Sequence, residues 1–287
     1  SADSTAHSIV AVALLEENTK IMTIASPILL SHRKLNISKF PFPHFGIPNY
    51  FDADLYRALD RSFPDLSLFG YEREGGNLLI TDEVADNFVT GNPIWRDVFD
   101  RLSERSFIQD AINTIGRMTF IRARGALGGL PLIPPFGGRE FGSCVEFNYK
   151  FSRMGRETHL FAHTDQPSTV FTFMLYFPTD DWKNEYGGST AVCLPRDRKL
   201  TGNWSNHHLP IEDVEVIKES GYRANYLFGF VKSSASWHSV MPIQGPSNIS
   251  RRALIITYHI RPEDRDSVLY RGANYVYRHL EKSRFST

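Results

Sequence analysis

Short strand-like segments dominate the second half of the chain, and they constrain its fold more than any other feature. They are rich in Val, Phe, Tyr and Thr and are separated by turn residues. This pattern is typical of a β-sandwich or barrel built from short strands. The predicted strands cover residues 118–124, 143–151, 159–162, 169–177, 190–194, 224–232 and 253–260.

Helical patterns come before this β-rich region. Asp52 is a suitable N-cap for a helix whose apolar residues recur at helical spacing until Pro64. A second helix is predicted to begin at Asn92, because Pro93 then takes the first helical position. We expect a single domain over 1–287, with a mixed, helix-containing N-terminal part over 1–117, a β-sandwich core over 118–262 and a tail over 263–287.

The balance of charge argues against polyanionic partners. The chain has 32 basic and 32 acidic residues, so it has no overall attraction to nucleic acid or anionic lipid. No apolar run approaches the roughly 20 residues needed to span a bilayer. The two cysteines, Cys144 and Cys193, cannot build a disulfide framework, and free thiols suit a reducing cytoplasm. We therefore expect a cytoplasmic protein that acts on a small molecule.

One histidine–acid pair offers ligands for a metal ion. Residues 159–165 have the sequence HLFAHTD, and residues i and i+2 of an extended strand face the same side. His163 and Asp165 are therefore placed to offer an imidazole nitrogen and a carboxylate oxygen to one ion. With 10 histidines in the chain, such a pair arises readily by chance, so the pair alone leaves a simple polar pair equally open.

A later histidine supplies the third ligand. His238 follows a strand-like run and precedes a loop that contains Pro and Gly. Two histidines and one carboxylate on one face of an octahedral ion leave positions open, which is the pattern of non-haem Fe(II) oxygenases. Four further histidines are interpreted as structural or solvated: His44, His207, His208 and His259.

Two adjacent arginines, Arg251 and Arg252, open the last apolar strand. A cation that enters a buried strand needs an anionic partner, because an unpaired buried charge is strongly unfavourable. The guanidinium group is suited to bidentate binding of a carboxylate. The sequence therefore predicts a carboxylate ligand near the start of this strand.

The order of these motifs resembles the Fe(II)/2-oxoglutarate-dependent dioxygenase superfamily, in which HxD precedes a distant His and then an Arg. In segment 171–192 an apolar strand is followed by Trp182, Gly187-Gly188 and another strand. This segment is similar to the strand, W-x-x-x-x-G-G, strand region of the prolyl-hydroxylase-like branch. The lead-in at 41–65 is similar to the start of small-molecule members of that branch. The clear resemblance covers residues 143–260.

The resemblance implies a fold and a set of site residues. The fold is mainly β with a helical N-terminal part, and its core is a double-stranded β-helix (jelly-roll, cupin-like). The iron ligands would be His163, Asp165 and His238. Arg251 would pair with the distal carboxylate of 2-oxoglutarate. It is preferred to Arg252 because the family often shows R-x-S at the start of this strand, although Ala253 replaces the usual serine here. Tyr149 resembles a tyrosine that helps to hold the same carboxylate, with a core aromatic as the alternative interpretation.

The resemblance implies that the cofactors are Fe(II), the co-substrate 2-oxoglutarate and O2. It implies an activity that oxidises a C–H bond of a small molecule, such as an amino acid or natural-product intermediate. Because related halogenases have a small residue at the position of Asp165, its carboxylate favours hydroxylation, desaturation or cyclisation. The alternatives are a hydroxylase of protein side chains and a non-catalytic cupin-like binding module. The sequence leaves the substrate and the oligomeric state open.

Two further features bear on the substrate. The Gly-rich segment 125–142 is a candidate lid, with a passive surface loop as the alternative. Four arginines are candidates to meet a substrate carboxylate or phosphate: Arg122, Arg124, Arg153 and Arg156.

Overall fold

The fold was determined from a computed structural model, which describes residues 28–73, 76–116, 145–203 and 205–262. The predicted strand at 118–124, the candidate lid at 125–142 and the tail at 263–287 lie outside these residues. Among the described residues, no helix is both long enough and apolar enough to cross a membrane. Cys193 is a buried free thiol.

Four α-helices lie between residues 28 and 116 of the described chain, and both predicted N-caps are confirmed. The Asp52 side chain accepts a hydrogen bond from the backbone N–H of Asp54, and the Asn92 side chain accepts one from Trp95. The helix that Asn92 begins ends at Ser103, and a separate helix follows. The helices are α1 (Ala53–Arg61), α2 (Asp82–Gly91), α3 (Pro93–Ser103) and α4 (Arg105–Ala111), and α2 was not predicted.

Eleven strands are present among the described residues. They are β1 (His44–Pro48), β2 (Tyr71–Arg73), β3 (Asn77–Leu79), β4 (Val145–Met154), β5 (Leu160–His163), β6 (Thr169–Tyr176), β7 (Thr190–Pro195), β8 (Val214–Glu219), β9 (Tyr226–Val231), β10 (His238–Val240) and β11 (Arg251–Ile260). Every predicted strand that falls on described residues is confirmed, with ends that differ by a few residues. The short strands β1, β2, β3, β8 and β10 were not predicted.

Short helical turns connect several of these elements. They are Leu30–His32, Leu66–Leu68, Asn184–Tyr186, Arg198–Leu200 and Ile211–Asp213, and one π-helical turn, Ile112–Gly116, extends α4.

The strands form two antiparallel sheets. The larger sheet has the order β1-β9-β6-β11-β4-β3-β2, and the smaller has the order β5-β10-β7-β8. From β4 to β11 the chain passes repeatedly from one sheet to the other, with four of these eight strands in each sheet. This eight-strand arrangement is consistent with the predicted jelly-roll core, and β1, β2 and β3 extend the larger sheet at its edges.

The two faces of the larger sheet have different environments. Along β4 the aromatic residues Phe147, Tyr149 and Phe151 alternate with polar residues, and the aromatic face belongs to the hydrophobic core that includes the helices. Trp95 of α3 packs edge-on against Phe151, with ring centroids 5.0 Å apart. The opposite, more polar face lines a cavity shared with the smaller sheet. The helices therefore cover one face and leave the other for a site.

Candidate metal centre and active-site cavity

Three predicted ligands converge on the smaller sheet. His163 ends β5 and His238 begins β10, and the two residues are direct partners in the antiparallel ladder. Asp165 Oδ1 lies 3.4 Å from His163 Nε2 and 3.7 Å from His238 Nε2. One ligand atom from each residue lies within 4.8 Å of the other two. The structure therefore brings together side chains that are far apart in the sequence.

Backbone carbonyl groups orient both imidazoles. His163 Nδ1 lies 2.9 Å from the carbonyl oxygen of Phe161, and His238 Nδ1 lies 2.9 Å from that of Ser236. Because a carbonyl oxygen can only accept, Nδ1 carries the proton and donates it in each pair. The lone pair of each Nε2 is then free to face a metal ion, as in metal-binding histidines generally.

Asp165 reaches this position by a turn, and the prediction that it shares an extended strand with His163 is wrong. Strand β5 ends at His163, and Asp165 has a positive φ of 68°, a left-handed conformation that Asp tolerates better than most residues. The intervening Thr164 is buried, and its hydroxyl donates to the carbonyl oxygen of Asn203 and accepts from Lys232 Nζ. These bonds hold the turn that places the carboxylate beside the imidazole.

The electrostatics of the three groups favour the forms that bind a cation. Burial alone would raise the pKa of Asp165, but the two histidines and a hydrogen bond from Thr172 hold this pKa well below its usual range. Thr172 Oγ1 donates to Asp165 Oδ2 over 2.7 Å, which leaves Oδ1 facing the histidines. Burial lowers the pKa of His238 to about 4, and the neighbouring His163 acts in the same direction. At neutral pH the site therefore holds a carboxylate and a neutral His238, as metal ligation requires.

These residues fit a six-coordinate divalent ion. Bonds of about 2.1 Å in an octahedron hold neighbouring donor atoms about 3 Å apart, and the observed separations of 3.4 and 3.7 Å are close to that. Two imidazoles and one carboxylate on one side of the ion match the ligand set of non-haem iron. The donor set of this chain is therefore suited to Fe(II).

Arg251 lies in the same cavity as the three ligands and is 2% exposed. Its Nε donates to the carbonyl oxygen of Gly188 over 2.6 Å, and its guanidinium lies over the rings of Tyr176 and Tyr222. Burial lowers the pKa of Arg251, because no carboxylate among the described residues pairs with it. The cavity therefore presents a fixed cation without a counter-ion in the described part of the chain, which suits an incoming carboxylate.

The two glycines of the tryptophan–glycine motif allow this arrangement. Both Gly187 and Gly188 have positive φ, and a Cβ on Gly188 would lie 3.1 Å from Trp182 and 3.3 Å from Arg251 Cδ. A side chain at position 188 would push into the arginine stem. The motif thus shapes the backbone against which Arg251 packs.

Arg252 and Tyr149 lie on the other face of the larger sheet. Arg252 Nη2 pairs with Asp60 Oδ1 over 2.7 Å. The Tyr149 hydroxyl donates to Asp86 Oδ1 over 2.6 Å, and its ring lies 4.2 Å from that of Phe99. The prediction that Tyr149 helps to hold the 2-oxoglutarate carboxylate is therefore wrong, because the pleat of β4 directs it toward the helices.

The cavity has a volume of about 620 Å³ and includes residues that the sequence did not single out. His208 and His259, which the sequence analysis interprets as structural or solvated, also line it. Asn148, Lys150 and Thr172 also line the cavity. They alternate with apolar neighbours along their strands, and this alternation was a usable signal.

Two of the four candidate arginines lie elsewhere: Arg153 donates to the carbonyl oxygen of Pro64, and Arg156 pairs with Glu157. Arg122 and Arg124 lie outside the described residues.

Comparison with known proteins supports the predicted resemblance. Residues 149–259 match the family model described as the 2OG-Fe(II) oxygenase superfamily, and this segment contains the three candidate ligands and Arg251. The resemblance to this superfamily is confirmed over that segment. The protein is a 2-oxoglutarate-dependent non-haem iron dioxygenase that uses Fe(II), 2-oxoglutarate and O2. No curated protein matches the sequence.

Several solved structures resemble the chain remotely. A prolyl hydroxylase from Trichoplax adhaerens, in complex with a peptide of a hypoxia-inducible factor, is 12% identical over 76% of this chain and 83% of its own, with a TM-score of 0.43. A prolyl-4-hydroxylase from Pseudomonas putida is 15% identical over 75% of this chain and 92% of its own, with a TM-score of 0.36. HygX from Streptomyces hygroscopicus, with nickel, 2-oxoglutarate and hygromycin B bound, is 11% identical over 75% of this chain and 82% of its own, with a TM-score of 0.40.

Proposed function

We propose that the protein oxidises a C–H bond of a small molecule, with His163, Asp165 and His238 as the iron ligands and Arg251 as the partner of the distal 2-oxoglutarate carboxylate. The carboxylate of Asp165 favours hydroxylation, desaturation or cyclisation over halogenation. When bound, iron and 2-oxoglutarate supply the oxidising chemistry with O2. The protein's own residues hold the ion, fix the co-substrate and shape the space for the substrate.

The observation that carries this proposal is the common cavity. All three ligands and Arg251 line one space of about 620 Å³, within the range of about 300–1,000 Å³ of small-molecule sites. A buried guanidinium and a metal-binding set on facing sheets provide the two attachment points that a dicarboxylate co-substrate needs. A binding module without redox chemistry has no need of both.

The test of this assignment is anaerobic reconstitution. Protein mixed with Fe(II) and 2-oxoglutarate should develop a visible charge-transfer band, which reports a co-substrate bound directly to the iron. The band should be lost in His163→Ala and Asp165→Ala. His207→Ala is the matched control, because His207 is an exposed histidine that does not line the cavity.

The proposal fails if the wild-type protein binds Fe(II) but forms no band with 2-oxoglutarate. It also fails if the band survives in both ligand variants. The substrate class is tested separately by a screen for compounds that stimulate succinate release. Stimulation by peptides but by no small molecule would favour the protein side-chain hydroxylase instead.

A further inference from the structure

One wall of the cavity is formed by alternate residues of two paired strands of the larger sheet. On β4 these residues are Asn148, Lys150, Ser152 and Met154, and on β11 they include Ile255 and Thr257. Lys150 is opposite Ile255 in the ladder and Asn148 is opposite Thr257. Three of the four β4 side chains on this face are polar, so this wall offers polar contacts beside the apolar Met154 and Ile255.

Lys150 is the cation of this wall, and its side chain has no partner among the described residues. No described residue forms an ion pair or a hydrogen bond with its side chain. The neighbouring Ser152, by contrast, donates its hydroxyl hydrogen to Asn77 Oδ1 over 2.7 Å. Lys150 is half-buried, and a lysine in a partly enclosed cavity loses hydration unless an anion replaces the water.

The charges around the cavity leave this lysine uncompensated. Asp165 is the sole carboxylate among the described residues that line the cavity, and it offsets one of the two charges of a bound Fe(II). The dianion 2-oxoglutarate offsets the second charge of the ion and the guanidinium of Arg251. Lys150 then remains as a cation without a counter-charge among the described lining residues, so the loaded cavity favours one further negative charge.

Lys150 also lies away from the place assigned to 2-oxoglutarate. Its strand partner Ile255 is four residues from Arg251, which corresponds to about 14 Å along β11. In the other direction Ile255 pairs with Met174 of β6, so Lys150 is about 10 Å from Met174 across two strand spacings. The next position on that face of β6 is Thr172, which donates to Asp165. Lys150 therefore flanks the metal centre at a separation that a small molecule can span.

We infer that Lys150, with Asn148 beside it, binds a negatively charged group of the substrate, and that the substrate is a small molecule with a carboxylate or a phosphate. The inference rests on the proposed function, because the charge balance assumes bound Fe(II) and 2-oxoglutarate. Lys150 supplies the charge and the Asn148 amide supplies a hydrogen-bond donor. The anion would anchor one end of the molecule while the reacting carbon lies toward His163 and Asp165.

The test compares wild-type protein with Lys150→Gln, Lys150→Arg and the control Lys218→Gln, which removes an exposed lysine of β8 outside the cavity. Each protein is loaded anaerobically with Fe(II) and saturating 2-oxoglutarate. Acetate, its neutral counterpart acetamide, and inorganic phosphate are then titrated at constant ionic strength. The dissociation constants are obtained from the dependence of the thermal midpoint on ligand concentration, and the 2-oxoglutarate dissociation constant is measured from the charge-transfer band.

We expect acetate or phosphate to bind at least fivefold more weakly to Lys150→Gln than to the wild type. Lys150→Arg and Lys218→Gln should stay within fivefold of the wild type, and acetamide should not distinguish the proteins. Stronger binding of acetate would identify a carboxylate substrate, and stronger binding of phosphate would identify a phosphate ester. The 2-oxoglutarate dissociation constant of Lys150→Gln should also stay within fivefold of the wild-type value.

Two results would overturn the inference. Equal anion affinity in the wild type and Lys150→Gln, including no detectable binding to either, would mean that Lys150 forms no anion site. A loss of 2-oxoglutarate affinity of fivefold or more in Lys150→Gln would assign the lysine to the co-substrate instead. Failure of the proposed function has a different signature, because the wild-type protein would then form no charge-transfer band before any anion is added.

Discussion

Replacement of Arg251 by methionine should remove 2-oxoglutarate binding without unfolding the protein. Methionine has a similar length and no charge, so it fills much of the same space between Tyr176, Tyr222 and Gly188. Arg251 is 2% exposed, and water has little access to replace the lost bonds. The loss of one partner from a buried, hydrogen-bonded charge pair costs about 2–5 kcal/mol.

This range fixes the expected size of the effect. At about 1.4 kcal/mol for each tenfold change in affinity, the dissociation constant of 2-oxoglutarate should rise between about 30-fold and about 4,000-fold. The free energy of unfolding of the protein without co-substrate should change by less than about 2 kcal/mol. In that form the variant loses the hydrogen bond to the Gly188 carbonyl, worth about 1–3 kcal/mol, but it also removes a buried charge that lacks a counter-ion.

Arg252→Met is the matched control, because the two arginines are adjacent in sequence and face opposite sides of the sheet. Arg252 pairs with Asp60, and burial raises the pKa of that carboxyl while Arg252 opposes the shift. Loss of Arg252 should therefore reduce the free energy of unfolding by about 1–3 kcal/mol and leave 2-oxoglutarate affinity within threefold. The assays are anaerobic titration of the charge-transfer band and denaturant unfolding. The reasoning is refuted if Arg252→Met loses the co-substrate and Arg251→Met keeps it.

Three further substitutions test the surroundings of the site. Thr172→Val removes the hydroxyl that donates to Asp165 and keeps the shape of the side chain. Metal titration should show an affinity for Fe(II) about 10- to 100-fold lower. Unchanged affinity would mean that this hydrogen bond does not orient Asp165. Tyr149→Phe removes the hydrogen bond to Asp86 on the helical face. Denaturant unfolding should show a free energy of unfolding lower by about 1 kcal/mol, with no change in 2-oxoglutarate affinity. A tenfold loss of that affinity would mean that Tyr149 helps to hold the 2-oxoglutarate carboxylate. Leu102→Ala removes most of a fully buried side chain of α3 and should lower the free energy of unfolding by about 2–5 kcal/mol. At a temperature where the variant is folded, its charge-transfer band should be the same as that of the wild type. A changed band would mean that the helical layer affects the site.

Strand periodicity accounts for most of what the sequence predicted about the fold. The long strands β4, β6 and β11 carry many β-branched and aromatic residues, and their pattern is strong enough to be recognised locally. The missed strands β2, β3 and β10 have three residues each. A three-residue segment shows no period of its own, and its conformation depends on the partner strands that the fold brings beside it.

The same periodicity indicates which face of the sheet each β4 residue belongs to. Phe147, Tyr149 and Phe151 form one alternate set, and Asn148 and Lys150 belong to the other. Because alternate residues share a face, a tyrosine between two phenylalanines belongs with the hydrophobic core. The family resemblance placed Tyr149 in the site, whereas the alternation of polar residues placed Asn148 and Lys150 there.

The candidate metal ligands lie together for a reason that their local sequence does not contain. His163 and Asp165 were paired on the assumption of a continuous strand, yet the strand ends at His163 and a left-handed Asp165 completes the turn. The bonds that hold this turn come from Asn203 and Lys232, which lie many residues away in the sequence. A spacing of two residues thus predicted that the two side chains are close together, but the physical cause of their proximity is tertiary. It follows that a substitution at Lys232, outside the motif, should disturb the position of Asp165 more than a substitution at the half-buried Phe161 of β5.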